Sequence, residues 1–106
     1  MNDINVIESD CFSVSLNKLD KIDIYFFDGD HTYDAQKKAL TYYYDVLNND
    51  FIFVVDDWNF VDAQTGTYDA IKELNLKIKF MTILPSKGNG DWDNYWNGIG
   101  LFLLEK

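Results

Sequence analysis

The chain has 106 residues, a length for one domain or part of one. Hydrophobic residues make up 47% and aromatic residues 17%, which supplies a core and excludes a disordered tail. The 18 Asp and Glu against 9 Lys and Arg give a net charge of -9, which excludes nucleic-acid phosphates and anionic membrane surfaces as main partners.

Ile4 to Glu8 is a short apolar run that reads as a strand. Ser9 to Leu19 holds room for a turn and a short helix. Ile22 to Phe27, IDIYFF, is apolar and aromatic-rich and is stopped by Asp28-Gly29, the pattern of a buried strand. Thr32 then fits a helix N-cap, with Asp34 favourable in the first turn. Ala35, Ala39, Leu40, Tyr43 and Leu47 follow at helical spacing, and Asn48, Asn49 and Asp50 are expected to end that helix. Phe51 to Val55, FIFVV, is a second fully apolar run, stopped by Asp56-Asp57. Asp62 is a candidate cap for a second helix carrying Thr67, Ala70, Ile71 and Leu74 on one face, with Gly66 weakening it slightly. Leu76 to Leu84 and Ile99 to Leu104 read as an antiparallel strand pair, joined through the loop Pro85 to Asp93.

Apolar strands alternating with helices predict an α/β fold, with a mostly parallel sheet covered on both faces and an antiparallel C-terminal strand. The single cysteine, Cys11, excludes an internal disulfide and fits a reducing compartment. No run approaches the ~20 apolar residues of a membrane span. The start MNDINVIESD lacks a basic region followed by an apolar run, so a cytoplasmic protein with no membrane association is expected.

Ligands of open α/β sheets bind beyond the carboxyl ends of the strands. Two runs end there in acids: Asp28-Gly29-Asp30-His31 and Asp56-Asp57-Trp58-Asn59. On adjacent parallel strands, Asp28, Asp30, Asp56 and Asp57 would converge, and hard oxygen ligands at that density suit Mg²⁺, Ca²⁺ or Mn²⁺. The competing reading makes the same acids caps and turn formers. His31 fits a general base or metal ligand, and equally a turn residue bonded to local backbone. Cys11 reads better as a small buried hydrophobe than as a reactive thiol. Trp58, Trp92 and Trp96 either line a pocket for a planar group or seal the core. No phosphate-binding glycine loop, C-x-x-C or nucleophile elbow is present.

DGDHTYDAQKKAL (Asp28 to Leu40) resembles the segment after the fourth strand of class I S-adenosylmethionine-dependent methyltransferases, in the subgroup of sugar and macrolide O-methyltransferases. FIFVVDDWNF resembles that subgroup's fifth strand and following acids, NVIESDCF its third strand and turn, and WNGIGLFLLEK its last strand. The resemblance implies that Asp28, Asp56 and Asp57 hold Mg²⁺ and that Asp30 is the general base, with His31 beside it. It places Asp10, Cys11, Phe12 and Asp28 around the cofactor S-adenosylmethionine. Some sugar O-methyltransferases carry an apolar residue where His31 stands. The family's first strand, E/D-x-G-x-G-x-G turn and second strand would precede Asn2. Residues 1–106 are therefore expected to be a single truncated domain of partial Rossmann-like methyltransferase fold. Two functions follow as expectations. One is metal-assisted O-methylation of a small hydroxylated substrate, completed by self-association or by a partner chain supplying the missing half. The alternative is a non-catalytic remnant serving as a binding or oligomerisation module through an exposed apolar sheet edge and face.

Overall fold

The computed structural model describes residues 4–84, 86 and 88–106. Its frame is set by four apolar runs that form strands: β1 (Ile22–Phe27), β2 (Leu47–Asp56), β3 (Lys77–Leu84) and β4 (Ile99–Glu105). Two helices intervene, α1 (Tyr33–Tyr43) and α2 (Val61–Glu73). The α/β class expected from the sequence is present. The sheet order is β1-β2-β4-β3. Only β1 and β2 pair in parallel, whereas β4 runs antiparallel to both β2 and β3. The sheet is thus mixed and not mostly parallel. The cause is that β4 enters between β2 and β3, so one returning strand creates two antiparallel pairings.

Residues directly opposite each other in neighbouring strands share a face. Tyr25, Phe53, Phe102 and Met81 form one row across the sheet, and Phe27, Val55, Gly100 and Ile83 the next. This face meets both helices: Ala39 and Leu40 of α1 and Ala70 and Ile71 of α2 join Phe51, Phe53, Val55, Phe102 and Leu104 in one core. The opposite rows, Ile24-Ile52-Leu103-Phe80 and Phe26-Val54-Leu101-Thr82, carry no helix. There Ile24 is 66% exposed, Phe26 54% and Phe80 55%. The helices therefore lie on one face, not on both. They pack against each other as well as on the sheet, and Gly66 permits this. A Cβ at Gly66 would stand 2.6 Å from the Tyr33 carbonyl oxygen and 2.9 Å from Gln36 Cβ. The glycine that weakens the helix as a sequence feature is the contact that lets α2 approach α1.

Helix α1 begins as expected, with Thr32 as N-cap accepting from Ala35 N–H at 3.3 Å. It does not run to Asn48. A 3₁₀ turn at Tyr44–Val46 closes it, and Leu47 to Asp50 already belong to β2. Pairing explains this: Leu47 faces Ile22, Asp50 faces Glu105, and Lys79 bridges Asp50 and Glu105. Cross-strand partners override the loop preference of Asn-Asn-Asp. In α2 the N-cap is Phe60, and Asp62 lies inside the first turn, where its charge still suits the helix dipole. Ile4 to Glu8 form no strand. They are exposed throughout and, among the described residues, enter no backbone–backbone hydrogen bond. A turn and a 3₁₀ turn, Leu16–Lys18, follow before β1. Of the loop from Pro85 to Asp93, residues 85 and 87 lie outside the described residues. Among the described residues no helix is long and apolar enough to cross a membrane.

Candidate metal centre and adjoining cleft

Parallel pairing of β1 with β2 brings Phe27 opposite Val55, so the residues that follow emerge side by side at one sheet edge. One carboxylate oxygen from each of Asp28, Asp56 and Asp57 lies within 4.8 Å of the other two. Asp28 is exposed, whereas Asp56 and Asp57 are half-buried. Partial burial and the adjacent Asp28 carboxylate push the Asp56 carboxyl above its usual range, against the opposing pull of the Asp57 backbone N–H. A hard divalent cation relieves that repulsion, and three carboxylates leave the remaining positions of an octahedral ion to water or a substrate oxygen. The donor set fits such an ion.

Asp57 adopts a left-handed backbone, φ 57°, which aspartate tolerates better than most residues. The turn before β4 holds it there. Asn97 Nδ2 donates to Asp57 Oδ1 at 2.8 Å, Trp58 N–H donates to the Gly98 carbonyl at 3.1 Å, and Asn59 N–H donates to the Asn97 carbonyl at 2.8 Å. Gly98 has φ 86°, and a Cβ there would meet Asn59 Oδ1 at 2.5 Å. Asn97 and Gly98 are supporting residues that sequence reasoning missed. The Asn-Gly pair just before the last strand is a turn signal, but nothing local shows that the turn reaches Asp57.

Asp30 does not join the three acids. It turns into a neighbouring cleft of about 490 Å³ with Asp10, Cys11, Phe12, Thr32, Asp34, Ala35 and Lys38. The fourfold convergence expected from the sequence is therefore a cluster of three, with Asp30 set apart. The residues linked by resemblance to the cofactor, Asp10, Cys11 and Phe12, do share that cleft with Asp30. Its volume falls within the range of small-molecule sites, and three carboxylates against one lysine favour a ligand carrying positive charge. Both acids also serve as turn formers: Asp10 Oδ1 accepts from Phe12 N–H at 2.9 Å, and Asp30 Oδ1 from Thr32 N–H at 3.2 Å. Tyr42 and Tyr43 of α1 hold this segment by donating to the carbonyls of Val14 and Cys11.

Cys11 is exposed, not the buried hydrophobe expected. Desolvation and then the Asp10 carboxylate push its thiol up, so it does not ionise readily. His31 is exposed and stacks flat on Phe60, with ring centroids 4.1 Å apart and planes 6° from parallel. The tryptophans divide. Trp58, 5% exposed, packs on Tyr68 and Phe102 and seals the core. Trp92 and Trp96 meet edge to face in the loop and remain exposed. A second cleft of about 210 Å³ runs between Cys11, Tyr43 and the end of β1, and Asp28 borders it. The chain matches no protein-family model and no curated protein.

Proposed function

We propose that this chain is a metal-assisted O-methyltransferase-like protein acting on a small hydroxylated substrate, with S-adenosylmethionine as methyl donor. The observation that carries the reading is the meeting of Asp28, Asp56 and Asp57 within 4.8 Å beside a cleft that Asp30 faces. In it, the three carboxylates hold Mg²⁺, which when bound lowers the pKa of a coordinated hydroxyl. Asp30 accepts the hydroxyl proton, and its two bonds to Thr32 fix the carboxylate's direction. Asp10, Cys11 and Phe12 offer a polar and aromatic wall to the donor's adenosine, and the cleft's acidity suits its sulfonium. Asn97 keeps Asp57 turned toward its neighbours. His31, stacked on Phe60, forms part of the rim and not of the acid cluster.

A second reading, a binding or oligomerisation module without catalysis, draws its support from the uncovered sheet face around Ile24, Phe26 and Phe80. Calorimetry separates the two. Titrating S-adenosylmethionine into the folded chain with Mg²⁺ present gives saturable heat under the first reading, lost in Asp10→Ala and reduced without Mg²⁺. A folded chain that gives no heat with either ligand leaves only the second.

A further inference from the structure

We infer that two copies of this chain exchange their Ile4 to Glu8 segments, each adding a strand to the outer edge of the other's β1. The chain contains two unsatisfied elements that match. The first is Ile4 to Glu8, a short apolar, strand-forming segment in which Ile4 is 87% exposed, Val6 86% and Ile7 53%. Among the described residues, none of its backbone groups is paired with another backbone group. The second is the outer edge of β1, which among the described residues pairs only with β2 and so presents an open row of N–H and C=O groups. The side chains beside that row, Ile24 and Phe26, are exposed and apolar.

The lengths agree. Five extended residues span about 17 Å and the six of β1 about 20 Å, so one segment covers one edge. The faces agree as well. With Ile4 and Val6 on the side of Ile24 and Phe26, the added strand extends an apolar row, and Glu8 falls at its end. Asn5 and Ile7 then fall on the helix side, and the gain comes chiefly from the ladder of backbone hydrogen bonds formed along the edge. Reciprocal exchange closes as a twofold dimer and pairs the β1 edges of both copies, whereas a single donation leaves one unpaired. Opposing it is repulsion between two copies of charge -9. Physiological salt screens that repulsion beyond about 8 Å, and no acid lies between Ile4 and Ile7 or between Ile24 and Phe27, Glu8 and Asp23 standing just beyond those stretches. The inference goes beyond both readings above, since neither assigns an occupant to the β1 edge, and it stands or falls independently of the metal centre.

Sedimentation of the chain from micromolar to hundreds of micromolar tests it. The wild type is expected to pass from monomer to dimer. Val6→Pro alters an exposed residue with no hydrogen bonds and removes a strand donor, so it weakens dimerisation on the order of tenfold or more while the circular dichroism stays native. Val6→Ile retains the dimer. Phe26→Lys, which places a charge beside the edge, also yields a monomer. Mixed together, the Val6→Pro and Phe26→Lys chains regain one of the two pairings, because the first keeps a free edge and the second a free segment, so they associate more tightly than either variant alone and less tightly than the wild type. A wild type that stays monomeric throughout overturns the inference. So does a dimer that survives Val6→Pro, which would reflect stacking of the open faces, and so does a mixture that associates no more tightly than either variant alone.

Discussion

The two faces of the sheet are built from equally apolar residues and have opposite fates. On the helix side Phe51, Phe53, Val55, Phe102 and Leu104 are no more than 1% exposed. On the other side Ile24, Phe26 and Phe80 are each more than half exposed, although strand register sets them one residue away. Hydrophobicity along the chain therefore reports which runs become strands. It does not report which face is covered, because cover depends on where helices from distant segments land. Stability should reside almost wholly on the covered side.

The largest test of that contrast is a matched pair of truncations. Phe53→Ala, fully buried against Tyr25 and Phe102, should cost about 4 kcal/mol in urea denaturation. Phe26→Ala, on the open side, should cost less than about 1 kcal/mol. Equal losses would mean that the open face is covered in solution. Gly66→Ala sharpens the contrast from the helix layer. Alanine contributes up to ~1 kcal/mol of helix propensity, but its Cβ collides with the Tyr33 carbonyl, and overpacking costs about 1–3 kcal/mol. A net loss of about 1 kcal/mol is expected, and a gain would show that α1 and α2 are not in close contact.

A smaller effect comes from Tyr25, whose hydroxyl donates to the Ala39 carbonyl at 2.9 Å. Burial first, then nearby Tyr43 and Cys11, push its phenol well above its ordinary value. An acid with a raised folded pKa gives up its proton more readily when unfolded. Its contribution is complete below the ordinary tyrosine value and declines as pH rises through about 10. Tyr25→Phe should cost about 1 kcal/mol at neutral pH and flatten the alkaline decline in stability. An unchanged alkaline slope would assign that decline to other groups. Smallest is Asn97→Ala, remote from both faces, which should leave the melting temperature nearly unchanged while weakening Mg²⁺ binding on the order of tenfold. An unchanged affinity would remove Asn97 from the support of Asp57.

The sequence carried β1 almost to the residue, because IDIYFF is bounded by acids and Gly29. It carried Thr32 as a cap, because capping is a local bond. It carried the meeting of Asp28 with Asp56 and Asp57, because parallel neighbours end at the same edge. It failed where pairing is non-local. Ile4 to Glu8 has the composition of a strand and finds no strand partner among the described residues. Asn48 to Asp50 has the composition of a loop and is held extended by Asp23, Lys79 and Glu105. The position of β4 between β2 and β3, which makes the sheet mixed, leaves no trace in either strand's own residues. Asp30, two residues beyond Asp28, lines the cleft instead of joining the acid cluster.

The central claim is that Asp28, Asp56 and Asp57 together hold a divalent cation. Thermal unfolding of the wild type and Asp56→Asn, each with and without Mg²⁺, tests it most directly. Without metal the variant should melt slightly higher, on the order of 1–2 °C after allowance for solvent screening, because a like-charge contact is gone. With saturating Mg²⁺ the wild type should gain several degrees and the variant almost nothing. Equal gains in both proteins, or none in the wild type, would contradict the account.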